Sequence, residues 1–201
     1  MLRQSYTLLA PIYNFIVASP TQNFRKKNLQ HLSDYDGRNV LLTGIGTGLD
    51  IPFLPDGPNY YANDLTWAML KRAQTQNLVN KKHIALQQAD AMHLPYADNT
   101  FDVVVLHLIL AVVSNPVCAL QETARVLKPG GKIFIFDKFL QPQQHAYFRR
   151  ALNTVLRHFV THTNVVFESI HLHCQNLDLI KNEASMIGGW FRIIHLQKTD
   201  I

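Results

Sequence analysis

The chain predicts a single doubly wound α/β domain. Three observations carry that expectation. Apolar, β-rich runs alternate with helical patterns, the first run breaks into closely spaced glycines, and no repeat or Gly/Ser-rich linker divides the 201 residues. That length suffices for one sizeable core and is short for two. A doubly wound sheet binds ligands beyond the carboxyl ends of its strands, so the chemistry is expected there.

Taken in order, residues 6–33 read as a helical region and residues 39–45 as a first strand. Residues 49–54 suggest a short helix stopped by Pro55, and residues 60–63 a second strand. Thr66 can cap a helix that carries Met69, Leu70, Ala73 and Leu78 on a helical period. Residues 84–88 form a third strand, and Phe101 to Leu106, apolar except for Asp102, has the pattern of a central strand buried on both faces. Asn115 before Pro116 starts a helix that Lys128-Pro129-Gly130-Gly131 ends. A fifth strand (132–136), helices over 142–160 and 164–174, and two strands near 177–181 and 190–196 complete a seven-stranded sheet, with helices on both faces. The expected divisions are an N-terminal helical lid (1–37), a core (38–138) and substrate-side helices with a closing strand pair (139–201), all within one domain.

Composition narrows the function classes. The chain is 47% hydrophobic and 16% charged, and no stretch approaches the ~20 apolar residues of a membrane span, so a cytoplasmic protein is expected. Cys118 and Cys174 lie in no metal or redox spacing. A net charge of +5 is clustered at Arg25-Lys26-Lys27, Lys81-Lys82 and Arg149-Arg150, which reads either as solvated helix faces or as attraction to an anionic membrane surface. Zinc-finger spacing, RNP-like aromatics and long basic runs are missing, which argues against nucleic acid. His171 and His173 alternate, but on a helical segment they point to different sides, so no metal is expected. Nothing in the pattern specifies an oligomeric state.

The most informative stretch is Val40-Leu41-Leu42-Thr43-Gly44-Ile45-Gly46-Thr47-Gly48, followed by Asp64. Glycines this dense let the backbone turn sharply and let a ligand lie against bare main chain. A dinucleotide loop wants G-x-G-x-x-G, whereas here the third glycine comes one residue early and Leu49 stands sixth. That weakens the competing reading of an NAD-type oxidoreductase, because a pyrophosphate needs the helix N-terminus at close range. The tighter loop leaves room for a charged methionine tail and favours S-adenosylmethionine.

Four further motifs accompany the loop: Ala62-Asn63-Asp64-Leu65-Thr66, Ala89-Asp90-Ala91-Met92-His93-Leu94-Pro95, Phe101-Asp102-Val103-Val104, and Arg125-Val126-Leu127-Lys128-Pro129-Gly130-Gly131. In these five the chain resembles the class I S-adenosylmethionine-dependent methyltransferases, most of all the branch with the ubiquinone/menaquinone C-methyltransferases and bacterial phosphatidylethanolamine N-methyltransferases. Tyr6 to Asn14 is similar to the lid of that branch, with Thr7 and Asn14 in place of its usual acids.

The resemblance implies a Rossmann-like methyltransferase fold with an antiparallel C-terminal strand. It also assigns Thr43, Gly44, Gly46 and Gly48 to the methionine part of the cofactor and Asp64 to the two ribose hydroxyls. Leu65 would lie on the adenine face, with Asp90 accepting the adenine amino group and Ala91 or Met92 offering a backbone N–H. Tyr6 and Tyr13 would close over the sulfonium, where a ring attracts positive charge. His107, at the end of the fourth strand, is either a general base or a packed residue whose carbonyl faces the cofactor, with Tyr13 a rival on the same rim. The family often carries an acid two residues before the first glycine. Leu42 stands there in this chain, which implies a weaker hold on the cofactor's ammonium end.

The expected activity is in-line methyl transfer to a small molecule or lipid, with a phosphatidylethanolamine-type amine or a quinone precursor favoured. A non-enzymatic cofactor-binding or partner protein of the same fold is the alternative.

Overall fold

The computed structural model describes residues 20–140, 165–186 and 190–199. Its elements are α1 (residues 20–29) running into a 3-10 turn at Gln30–Asp34, β1 (Asn39–Thr43), β2 (Asn59–Asp64), α2 (Trp67–Val79), β3 (Ile84–Gln88), β4 (Phe101–His107), α3 (Pro116–Val126), β5 (Leu127–Lys138), α4 (Phe167–His171), β6 (Leu177–Met186) and β7 (Phe191–Lys198). The expected helices over 6–19 and 142–160 lie outside the described residues.

The sheet order is β3-β2-β1-β4-β5-β7-β6, so the apolar run of β4 occupies its centre. β1 pairs in parallel with β2 and β4, and β7 is antiparallel to both β5 and β6. Alternation along the strands divides the core in two. Val40, Leu42, Val103, Val105 and Phe134 pack with Leu29 and Leu32 and with Leu70 and Ala73 of α2, whereas Leu41, Val104, Leu106, Ile133 and Ile135 pack with α3 and α4. Burying each large aliphatic side chain contributes about 1.5–3 kcal/mol, so both helix layers are fixed chiefly by these strands.

Local chemistry explains where the elements differ from expectation. The helix expected over 49–54 is a single 3-10 turn, Ile51–Phe53, because Pro52 and Pro55 supply no N–H to extend it. Thr66 precedes α2 without a side-chain cap, and its own N–H is taken by Asp64 Oδ1. Asn115 does cap α3, accepting from the Val117 and Cys118 N–H groups. That helix ends at Val126 rather than at the Pro-Gly-Gly run, which lies inside β5. The expected 164–174 helix contracts to α4, while β6 is longer than expected.

Candidate functional site

The order of the sheet reverses between β1 and β4, and the loops leaving these two strands part there to form a cavity of about 210 Å3. Its walls come from the loop after β1, the end of β2 with the start of α2, the turn after β3, the segment after β4, and Arg25 of α1.

The glycines of the first loop do different work. Gly44 (φ +72°), Gly46 (φ +57°) and Gly48 (φ +84°) all adopt the left-handed region. A Cβ on Gly46 would meet nothing within 4 Å, so this glycine leaves bare main chain on the cavity. A Cβ on Gly48 would stand 2.8 Å from Ile51 Cδ1 and 3.0 Å from Ala73 Cα. Gly48 therefore admits close packing of α2 and does not line the cavity. Gly44 does line it, with its missing Cβ against Ile109.

Asp64 closes the loop from the opposite side. Its Oδ2 accepts the Gly46 N–H (2.9 Å) and its Oδ1 the Thr66 N–H (2.8 Å). A carboxylate offers about four lone-pair directions, so roughly two are left for incoming hydroxyl donors. Burial pushes the Asp64 carboxyl above its ordinary pKa, and the Thr66 and Gly46 donors oppose that rise. Beside it, Asn63 lines the same wall and has its Oδ1 buried without a partner. Asp90 Oδ1 accepts the Met92 N–H at 2.9 Å, which leaves Ala91 as the backbone donor at that turn. An acid with spare acceptor directions, set beside bare main chain, fits a ribose, and the β3 turn fits an adenine.

Of the residues the sequence singles out, Gly44, Gly46, Asp64, Leu65, Asp90, Ala91, Met92 and His107 line one cavity. Thr43 is buried beneath it with an unpartnered Oγ1 and, like Gly48, lies off its surface. Tyr6 and Tyr13 lie outside the described residues. His107 has both ring nitrogens engaged: Nδ1 meets Asp50 Oδ2 at 3.0 Å, and Nε2 meets Asn28 Nδ2 at 3.0 Å. Asn28 donates to Nε2, so the ring proton sits on Nδ1 and is directed at Asp50. That geometry suits a packed histidine and leaves neither nitrogen for an acceptor. Asp137, at the end of β5, is fully buried and accepts the Ala111 and Lys138 N–H groups. Burial holds its carboxyl up at about 6.

Sequence reading misses two charged cavity residues, Arg25 and Asp50. Arg25 belongs to a basic triplet that reads as solvated or membrane-facing, yet it is 3% exposed while Lys26 and Lys27 face solvent. The clue is period: Thr21, Arg25, Asn28, Leu29 and Leu32 recur at helical spacing, and all are buried. Arg25 Nη1 donates to Asp50 Oδ1 at 3.2 Å. Burial would raise the Asp50 carboxyl, but His107 and Arg25 together hold it below the usual carboxylate range.

A sheet of this order with a glycine loop and ribose-type acid at its switch point defines a Rossmann-like, nucleoside-cofactor-binding domain. Residues 41–135 match the family model described as "Methyltransferase domain". Over 190 residues, covering 93% of each chain, the protein is 27% identical to a phosphatidylethanolamine N-methyltransferase of Cereibacter sphaeroides. It is 39% identical over 144 residues to a demethylmenaquinone methyltransferase of Lactobacillus johnsonii, covering 66% of this chain and 58% of that one. Among solved structures, the 4+2 cyclase SpnF superposes with a TM-score of 0.79 at 16% identity, covering 98% of this chain and 95% of that one. Residues 41–135 thus carry a methyltransferase domain of the class I, S-adenosylmethionine-dependent type, for which S-adenosylmethionine is the methyl donor.

Proposed function

We propose that the protein methylates the amine of a phosphatidylethanolamine-type lipid. The observation that carries this reading is the extent of the likeness to the Cereibacter sphaeroides enzyme, which spans 93% of both chains and so includes segments outside the shared domain. The quinone-type relative from Lactobacillus johnsonii is more identical, but this chain spans 58% of its length. Its identity supports methylation of a quinone precursor as the second reading.

When bound, the cofactor supplies a methyl group already activated on a sulfonium. The residues of the chain then have to hold and orient it and exclude water. Asp64 accepts the ribose hydroxyls with its two remaining acceptor directions, held in place by the Gly46 and Thr66 N–H groups. Asp90 and Ala91 take the adenine edge, and Leu65 covers its face. His107 anchors the floor through Asp50 and Asn28 rather than moving a proton. A neutral amine is nucleophilic enough to attack in line, and it releases its proton to solvent after transfer.

The surface around the mouth supports peripheral membrane contact. Trp67 is 58% exposed and Leu65 41% exposed at the start of α2, and Lys71 follows one turn later on the same exposed side. An aromatic, an aliphatic and a cation together suit a bilayer interface with anionic lipid. Among the described residues no helix is long and apolar enough to cross a membrane.

The test offers radiolabelled S-adenosylmethionine with vesicles of phosphatidylethanolamine and phosphatidylglycerol, a demethylated quinone and a small thiol in parallel. Label in mono- or dimethylated phosphatidylethanolamine is the expected result. Label confined to the quinone would replace the first reading with the second, and label in neither would overturn both.

A further inference from the structure

The sheet ends in β3 on one side and in β6 on the other, and the two edges differ in length: β3 has five residues and β6 ten. An edge strand carries a row of N–H and C=O groups that its single neighbour cannot take, and proteins blunt such rows with short strands, proline, bulges or unpaired charge. β3 is short. β6 contains no proline, and among the described residues it pairs with β7 alone. Its register to β7 shifts between Leu179 and Lys181 and again between Ala184 and Met186, which leaves residues 181–184 as one regular run. Asp178, Leu179, Ile180, Asn182, Glu183 and Ala184 are all exposed, whereas residues 192–196 of β7 beside them are buried.

The regular run carries two charges of opposite sign on one face. Lys181 Nζ meets Glu183 Oε2 at 3.1 Å, on the side of His195, which Lys181 faces across the ladder. Asn182 points the other way, and its Oδ1 accepts the Arg192 Nε–H at 2.9 Å. The two charges cancel, so this stretch does not repel a copy of itself.

Two identical edges joined in one closed pair are related by a two-fold axis, and in a continuous sheet their strands then run antiparallel. Residues directly opposite in such a ladder belong to the same hydrogen-bonding class, so the axis passes beside a residue. An axis beside Lys181 sets that lysine against its own copy, and one beside Glu183 does the same to the glutamate. An axis beside Ala184 brings neither charge opposite its complement. An axis beside Asn182 sets each Lys181 opposite Glu183 of the second copy, giving four charges that alternate in sign on one face. Opposite charges across a ladder stabilise it, and like charges weaken it.

We infer that β6 is a self-pairing edge, through which two copies of the chain join antiparallel over residues 180–184 with the two-fold axis beside Asn182. Ile180, 58% exposed, lies at each end of the paired stretch and loses solvent when it forms. The contact is narrower than the ~1,200–2,000 Å2 of a stable interface, so the dimer forms at high protein concentration. The cavity opens between β1 and β4, with β5 and β7 between it and this edge, so the inference holds whichever acceptor is methylated.

Sedimentation of the full chain over a concentration series tests it. The wild type is expected to pass from monomer to dimer. Lys181→Glu and Glu183→Lys each set like charges across the axis and should raise the dissociation constant at least about tenfold, whereas Lys181→Glu/Glu183→Lys should return to within about threefold of wild type. The two single variants, when mixed, should form a mixed dimer, because their charges complement each other. A wild type that stays monomeric up to roughly millimolar concentration overturns the inference, as do single variants that dimerise like the wild type. A double variant no tighter than the single ones also overturns it, since the substitutions would then be acting on β6 itself. Hydrogen exchange needs no variant: amides within residues 180–184 should exchange more slowly as wild-type concentration rises, and rates independent of concentration would rule the pairing out.

Discussion

The two ends of the cavity are built by different means. At the nucleoside end, each acid is fixed by backbone donors from its own neighbourhood: Asp64 by the Gly46 and Thr66 N–H groups, Asp90 by that of Met92. At the other end, side chains hold one another in a buried line. Arg25 donates to Asp50, His107 donates to Asp50, Asn28 donates to His107, and His195 Nε2–H donates to Asn28 Oδ1 at 2.7 Å. The partners come from α1, the first loop, β4 and β7, and the last bond joins residues 167 positions apart. Backbone anchoring makes an end that tolerates substitution elsewhere. A side-chain line concentrates the consequences of a single change.

The contrast breaks most visibly at Arg25. Arg25→Met leaves the Asp50 carboxylate buried without its cation, and such a loss costs about 3–5 kcal/mol. Urea unfolding should register it, and Arg25→Met/Asp50→Asn should regain most of it by removing the orphaned charge. Asp64→Asn, a comparable change at the nucleoside end, is expected to cost about 1–2 kcal/mol, because the amide oxygen still accepts one backbone N–H while the other is left facing the amide NH2 group. Similar losses at Arg25 and Asp64 would erase the distinction.

The far end of the line carries a pH signature. Burial, helped by neighbouring His31, holds His195 down at about 4 against an ordinary 6.5. As pH falls through 6.5 the unfolded chain takes a proton at this residue while the folded chain resists until about 4, so stability declines across that window. The contribution amounts to at most about 3 kcal/mol. Asp137, raised to about 6, acts in the opposite sense: the folded state binds its proton first, and stability falls as pH rises from 3.8 to 6. The comparison must therefore be wild type against His195→Gln, whose amide can still donate to Asn28. The stability of the wild type relative to the variant should fall as pH drops from 6.5 to 4, and a constant difference would remove His195 from the titrating line.

The same contrast explains what the sequence discloses. The central strand is accessible because Phe101 to Leu106, Asp102 apart, is apolar on both faces, and the place of the cavity because the Gly44 to Gly48 loop follows β1 directly. Asp64 and Asp90 are legible for the same reason that they are rigid, since the atoms that hold them lie two to eighteen residues away. Arg25 and Asp50 are not. A triplet of basic residues says nothing about which member turns inward until α1 is laid against β4, β5 and β7, and Asp50 has no meaning until Arg25 and His107 arrive on either side of it. Gly48 shows the converse: its place in the motif suggests a ligand, while its contacts with Ile51 and Ala73 belong to helix packing.

Ligand affinity sharpens the comparison at a lower energy scale. On the proposed role of Asp64 at the ribose, Asp64→Ala should weaken S-adenosylhomocysteine about 100-fold, with methylthioadenosine, the same nucleoside without the amino-acid end, weakened equally because both carry the ribose. Asp90→Ala should cost both ligands about tenfold. A loss that spares methylthioadenosine would place the substituted residue away from the nucleoside end.

The smallest expected effect lies at Asn115. Its Oδ1 accepts the Val117 and Cys118 N–H groups at 3.1 and 3.2 Å, while Pro116 has no N–H to satisfy. Removing such a cap costs about 1 kcal/mol, so Asn115→Ala should lower stability by roughly that amount. Ser114, the residue before the cap, lines the cavity beside Met92, so α3 begins next to the turn after β3. If Asp64 and Asp90 are fixed by their own local backbone, fraying the first turn of α3 leaves affinity for methylthioadenosine unchanged within about twofold. A loss of affinity in step with stability would show that this end also depends on a distant element, and that its independence from the rest of the fold is smaller than its hydrogen bonds imply.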